Sequence, residues 1–201
     1  MNRAAERTNG FAMAVVVEGA LALAAVVLAA VFHVSLREQI APLGPEFGWA
    51  VVRGLAATVP MLAVFGWLVT SRRPALRQLR EQVEWMVREM FPDSSALQFA
   101  MVALLAGVGE ELLFRGAIQN VIAYWTPPLV ALAITSFLFG IAHALSRLYF
   151  FFALTVGFFL GWLALAFYDL IAPIVVHGLY DFVALMYLSR ARHQTLPPST
   201  D

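Results

Sequence analysis

The chain contains no cysteine and no lysine, and only 13% of its 201 residues are charged. Without cysteine it can form no disulfide, no zinc–thiolate site, no thiol nucleophile and no lipid-anchored thiol. A soluble domain carries about a quarter charged residues. The low charge and the 61% hydrophobic share therefore argue against a soluble, disordered or nucleic-acid-binding protein, and they indicate an integral membrane protein.

Six apolar segments approach the length of about 20 residues that crosses a bilayer. They are Phe11–Phe32, Phe47–Thr70, Leu97–Tyr124, Pro127–Leu145, Leu148–Tyr168 and Ile171–Leu188. The sequence thus predicts an all-α, polytopic bundle of six transmembrane helices. We expect two N-terminal transmembrane helices and an interfacial helix over 1–96, a core of four transmembrane helices over 97–189, and a disordered cytoplasmic tail over 190–201.

The arginines predict the orientation of this bundle. With the N-terminus inside, ten of the 13 basic residues fall on inner segments, Arg37 falls on an outer loop, and Arg53 and Arg115 fall within spans. Basic residues concentrate on the cytoplasmic side of membrane proteins. We therefore expect a multi-pass protein of the inner, cytoplasmic membrane with both termini in the cytoplasm.

The segment from Arg72 to Phe91, between the second and third spans, is too polar to cross the membrane. Its apolar residues recur at helical spacing: Leu76, Leu79, Val83, Met86, Val87 and Met90. Charged side chains occupy most of the remaining face. This pattern is typical of an amphipathic helix that lies on the membrane surface, and we predict such a helix on the cytoplasmic side.

Six ionisable side chains lie within three of the spans: Glu110, Glu111, Arg115, His143, His177 and Asp181. Facing lipid they would cost on the order of 10 kcal/mol together, so we expect them to face one another around a partly wet cavity. Glu111 and Arg115 are four residues apart and can pair on one helix face. Glu110 points about 100° away and stays free of that pair.

A free buried carboxylate beside imidazoles is suited to activating water. Glu110 and His143 are the candidates, and Phe139, one turn before His143, can pack against its ring. His177 and Asp181 are also four residues apart and can meet on one face. Because there is no cysteine and no Gly-x-Ser-x-Gly turn, a thiol or serine nucleophile is disfavoured.

Other residues in the spans are interpreted as structural. Glu18 and Arg53 are expected to be non-catalytic, with the long Arg53 side chain reaching outward to the membrane surface. Gly107, Gly109 and Gly140 lie beside the ionisable residues, and we expect them to let neighbouring helices approach closely.

Three ordered motifs resemble those of the CAAX-protease and bacteriocin-processing family of intramembrane, glutamic-type endopeptidases: Glu110-Glu111-Leu-Leu-Phe-Arg115, Phe139-Gly-Ile-Ala-His143 and His177-Gly-Leu-Tyr-Asp181. The family patterns read E-E-x-x-x-R, F-x-x-x-H and H-x-x-x-N/D on successive core helices. The resemblance covers about Leu97 to Leu188, which would then be the catalytic core.

The resemblance implies hydrolysis of a peptide bond in a membrane-associated peptide or protein. Glu110 with His143 would activate the water, and His177 and Asp181 would line the site that stabilises the oxyanion. The supporting residues would be Glu111, Arg115 and Phe139. Since an ionised carboxylate would repel an oxyanion, we expect Asp181 to orient His177 and to leave the oxyanion contact to the imidazole.

Several alternatives remain open at this stage. C-terminal processing or removal of a sorting signal, as in myxosortases, is one subtype of the peptidase hypothesis. No cofactor is expected, but a zinc-dependent protease would use Glu110, His143 and His177 as ligands. A proton-coupled carrier and a non-catalytic interaction or immunity protein are the other classes considered. The expected partners are the lipid bilayer and the substrate, with no nucleic acid and no indication of the oligomeric state.

Overall fold

A computed structural model describes residues 9–40 and 44–190. Every regular element in these two ranges is helical, which confirms the all-α prediction. The helices are α1 (Asn9–Val31), α2 (Pro45–Thr70), α3 (Pro74–Met90), α4 (Ala96–Glu111), α5 (Gln119–Ala123), α6 (Pro128–Ala142), α7 (Arg147–Phe167) and α8 (Ile171–Ser189). A π-helical segment, Leu112–Ile118, joins α4 to α5. The disordered tail expected over 190–201 lies, beyond Arg190, outside the described residues.

Five helical stretches of the described chain are long and apolar enough to cross a membrane: Gly10–Val31, Pro45–Thr70, Ala96–Ala123, Arg147–Phe167 and Ile171–Ser189. The fourth expected span is shorter than predicted. Helix α6 has 15 residues, so it is about 22 Å long against a hydrocarbon core of about 30 Å. The helix stops at Ala142 because His143 leaves the helical conformation, with φ −107° and ψ 11°.

Helix α3 packs its apolar stripe against the bundle. Leu79 and Val87 are buried, and Val87 belongs to a cluster with Phe65 of α2, Phe99 of α4 and Leu188 of α8. The predicted amphipathic helix therefore exists, but its stripe faces protein at the end of the bundle rather than only lipid. Such packing stabilises a short helix more than its intrinsic propensity does.

The π-helical segment interrupts the third predicted span, for which the sequence pattern predicts one continuous α-helix. Four consecutive residues of it, Phe114 to Ala117, are buried, which the single face of an α-helix cannot achieve. A π-turn also leaves backbone carbonyls without their usual partners. Asn120 Nδ2 donates to the carbonyls of Arg115 and Gly116, at 2.8 and 3.0 Å, and Gln39 Nε2 donates to that of Gly116 at 3.1 Å.

The glycines beside the ionisable residues allow close packing, as predicted. A Cβ atom on Gly107 would lie 3.0 Å from the backbone nitrogen of Gly178 in α8. One on Gly109 would lie 2.7 Å from the carbonyl oxygen of Glu18 in α1, and one on Gly140 would lie 3.0 Å from the Phe150 ring. Helices α1, α4 and α8 therefore meet backbone to backbone around the candidate site.

Arg53, expected to reach outward to the membrane surface, has a specific partner in the turn between α7 and α8. Arg53 Nη2 donates to Asp169 Oδ2 at 2.9 Å, and its guanidinium lies 4.8 Å from the centroid of the Phe167 ring. Asp169 Oδ1 accepts from the backbone N–H of Ala172 at 3.0 Å and so caps the first turn of α8. A buried acid that is distant in sequence thus pairs with the arginine, whose own side chain stays 35% exposed.

Candidate active site

All three ionisable motifs converge on one region of the bundle. The last turn of α4 supplies Glu110 and Glu111, the end of α6 supplies His143, and α8 supplies His177 and Asp181. Glu110 and His177 are buried, whereas the side chains of His143 and Asp181 are 28% and 32% exposed. The site is therefore closed on the side of α4 and open beside His143 and Asp181.

Glu110 and His143 face each other directly. His143 Nε2 lies 3.4 Å from Glu110 Oε2, and His143 Nδ1 lies 2.9 Å from the carbonyl oxygen of Phe139. Because a carbonyl only accepts, Nδ1 carries a proton, and Nε2 is the nitrogen that exchanges a proton with the carboxylate. The loose 3.4 Å contact leaves Oε2 without a hydrogen-bond partner among the described residues.

Phe139 forms the wall behind this pair. Its ring stacks on His143 with centroids 4.3 Å apart and planes inclined by 30°, as the spacing of the two residues predicts. The Arg115 guanidinium lies 4.4 Å from the centroid of the same ring, and Phe114 meets it edge-on at 5.1 Å. These contacts fix the imidazole plane and shield one side of the site from water.

Glu111 is the centre of a second, fully buried network. Its Oε1 accepts from Arg115 Nη1 at 2.7 Å and from His177 Nδ1 at 2.7 Å. Arg115 Nη2 also donates to the carbonyl of Gly157 in α7 at 3.0 Å. The predicted Glu111–Arg115 pair is thus present. The sequence did not predict that Glu111 also holds His177, because those two residues are 66 positions apart and no local spacing relates them.

The other ring nitrogen of His177 faces Asp181, as the four-residue spacing predicts. His177 Nε2 lies 3.4 Å from Asp181 Oδ2, which is longer than a well-formed hydrogen bond. Since ionised carboxylates only accept, an imidazole between Glu111 and Asp181 donates from both nitrogens. The ring is held firmly on the Glu111 side and loosely on the Asp181 side.

The zinc alternative requires Glu110, His143 and His177 to face one ion. Histidine ligands commonly donate their second ring N–H to a carboxylate or a backbone carbonyl, and Nδ1 of both histidines does so here. Nε2 of His177, however, faces Asp181 rather than the Glu110–His143 pair. Within residues 9–40 and 44–190, no three histidine, aspartate or glutamate side chains are placed to share a metal ion.

Glu18, interpreted from the sequence as a non-catalytic residue of the first span, lies beside the site. Its Oε2 is 3.5 Å from the position of a Cβ atom on Gly109, the residue next to Glu110. The carboxylate is within electrostatic range of Glu110, His177, Asp181 and His143. No sequence signal related it to the motifs, because α1 carries none of them.

Fold and site together define a polytopic membrane protein with an acid–imidazole centre inside a helical bundle. Residues 92–183 match the family described as type II CAAX prenyl endopeptidase Rce1-like. That segment contains all three motifs, and its match to a family of membrane proteases confirms the resemblance to the CAAX-protease and bacteriocin-processing family. No curated protein and no solved structure shows significant similarity to the chain. The myxosortase-like subtype stays a prediction.

Proposed function

We propose that this protein is an intramembrane endopeptidase that hydrolyses a peptide bond in a membrane-associated peptide or protein. The observation that carries the proposal is the Glu110–His143 pair, in which Nε2 and Oε2 lie 3.4 Å apart while Nδ1 is fixed on the Phe139 carbonyl. The pair has one acceptor oxygen to spare, and its His143 side chain borders the open side of the site. A water held there would contact both groups.

In the proposed reaction, the water oxygen forms a bond with the carbonyl carbon of the substrate, and its proton passes to Glu110. His143 Nε2 stabilises the charge on that carboxyl group and shares the proton with it. When the C–N bond breaks, the proton moves to the leaving nitrogen, so that the products are an amine and a carboxylic acid, which then releases its proton to solvent. The Glu110–His143 pair returns to its starting state.

His177 supports the proposal as the source of positive charge opposite this pair. Its Nε2–H is bound only loosely to Asp181, at 3.4 Å, so it is available to donate to the oxyanion of the tetrahedral intermediate. Asp181 then acts as a positioning residue for the imidazole. Glu111 and Arg115 keep the other side of the ring in place from inside the bundle.

Substitution of Glu110 by Gln, or of His143 by Ala, tests the proposal. The first change removes the proton acceptor and the second removes the imidazole that shares the proton with it, so in each case the rate is expected to fall by at least about a hundredfold, the usual contribution of general acid–base catalysis. The measurement is cleavage of membrane-anchored peptides by purified protein in liposomes, with products identified by mass spectrometry in the presence of a metal chelator.

The matched control is Glu89→Gln, which makes the same chemical change on the exposed face of α3 and is expected to keep the full rate. Undiminished cleavage by correctly inserted Glu110→Gln protein would refute the proposal. Loss of the wild-type rate on addition of chelator would instead support the zinc alternative.

A further inference from the structure

Glu18 lies on the inward face of α1. The least exposed positions of this helix recur every three or four residues, and Glu18 shares that face with the buried Ala25, one heptad later. The outward positions are lipid-like, for example Val16 and Leu23 with 69% and 64% exposure. The Glu18 carboxylate therefore points into the bundle, at the level where α1 touches Gly109.

Every other carboxylate of the site contacts a basic group. Glu110 lies next to His143, Glu111 contacts both Arg115 and His177, and Asp181 lies next to His177. Three carboxylates thus face one arginine and two imidazoles. With both imidazoles protonated, these six side chains balance in charge.

Glu18 is the carboxylate left over from this balance. No hydrogen bond or ion pair joins it to any described residue, and its Oε2 is buried without a partner. An unpaired carboxylate inside a membrane bundle is costly, and its six ionisable neighbours, balanced among themselves, leave the negative charge of Glu18 uncompensated. The position is therefore one where an incoming positive charge is stabilised.

We infer that Glu18 is a specificity-determining residue that accepts a positively charged group of the substrate, such as a guanidinium or ammonium near the scissile bond. This inference rests on the proposed peptidase function and names a substrate class for it. The substrate would enter beside His143 and Asp181, the partly exposed side of the site. Since α1 lies outside the matched segment 92–183, selectivity would come from a helix outside the shared catalytic segment.

A binding experiment tests this without cleavage. Full-length Glu110→Gln protein in lipid nanodiscs is titrated with fluorescent, membrane-anchored peptides in which one arginine is moved along an alanine–leucine backbone. Each peptide has a matched partner with citrulline, the neutral isostere, at the same position. At the position that reaches Glu18, the arginine peptide is expected to bind at least about tenfold more tightly, the effect of one charge-assisted hydrogen bond.

Adding Glu18→Gln is expected to abolish the difference in affinity between arginine and citrulline peptides. Glu18→Asp keeps a carboxylate on a shorter side chain and is expected to retain part of that difference. The control Glu46→Gln, at an exposed site at the start of α2, should leave it intact. Equal binding of both peptides at every position, or an arginine preference that survives Glu18→Gln, would overturn the inference. A preference that depends on Glu18, together with undiminished cleavage by Glu110→Gln, would instead refute the peptidase proposal and keep the cation site.

Discussion

His177 is the residue whose surroundings set the distribution of charge in the site. Its Nδ1 is bound at 2.7 Å to a carboxylate that is itself bound by Arg115, whereas its Nε2 is 3.4 Å from Asp181. The tight contact fixes the ring, and the loose contact leaves one N–H available. In the proposed mechanism, this asymmetry means that Asp181 is needed to orient the imidazole rather than to supply negative charge.

Asp181→Asn is therefore expected to keep the cleavage rate within about tenfold of wild type, because the amide oxygen still accepts from His177 Nε2. Asp181→Ala removes the acceptor, and kcat should fall by about a hundredfold, the scale of losing one oxyanion donor, while KM changes little. Steady-state kinetics on one cleaved peptide measures both variants. Equal damage by Asn and Ala would show that the charge itself is needed.

At the scale of helices, the π-helical segment and the glycine contacts decide which side chains point inward. The π-helical segment buries Arg115 beside Glu111. Gly107 lets α8 approach so closely that His177 reaches Glu111. Small residues drive such association in membranes, where packing replaces the hydrophobic effect. The contacts between helices thus determine where the ionisable side chains of the site lie.

Gly107→Ala is expected to destabilise the protein and to lower its activity. The new Cβ would lie 3.0 Å from the Gly178 nitrogen and 3.1 Å from the Ile174 carbonyl oxygen, and backbone at that distance must move. Overpacking of this kind costs about 1–3 kcal/mol, which thermal unfolding in detergent would register as a lower Tm.

The matched control for this prediction is Gly66→Ala in α2, where an added Cβ meets nothing within 4 Å. Alanine is favoured over glycine inside a helix by about 1 kcal/mol, so the Tm of this variant should stay level or rise. If both variants shift the Tm alike, the close approach of α4 and α8 does not control stability.

Sequence spacing predicted the contacts made within a helix or between motifs. Residues four positions apart share a helix face, which predicted the pairs Glu111–Arg115 and His177–Asp181 and the stacking of Phe139 on His143. The high cost of placing charge in lipid predicted that the three motifs meet. The Glu111–His177 bond and the place of Glu18 join separate helices, so only the packed bundle reveals them. The π-helical segment could not be predicted, because a mostly apolar run of residues is compatible with an α-helix as well as with a π-helix.

At the scale of the whole molecule, the N-terminal helices are part of the site's enclosure. Helix α1 lies along α4 and the π-helical segment, and α2 lies along α8, where a Cβ on Gly54 would meet Val175 at 2.6 Å. The matched segment 92–183 supplies the three motifs, and the first two helices cover two of its sides. The enclosure of the site therefore requires the first two helices to be inserted in the correct direction relative to the matched segment.

The absence of cysteine makes that orientation measurable. Single variants Ser35→Cys and Gln78→Cys place a thiol at exposed positions, one after α1 and one on α3. With the predicted orientation, a membrane-impermeant maleimide should label Ser35→Cys in intact cells and Gln78→Cys only after lysis. Labelling with the opposite preference would contradict the orientation deduced from the arginines.

The tie between Arg53 and Asp169 bears on how the protein is made. These residues are 116 positions apart, so α2 leaves the ribosome long before the acid that neutralises its arginine has been synthesised. During that interval the guanidinium lacks its counter-ion, which lies in the turn between α7 and α8. The ion pair can form only after that turn has been synthesised, so this contact between α2 and the C-terminal helices is made late in assembly of the bundle.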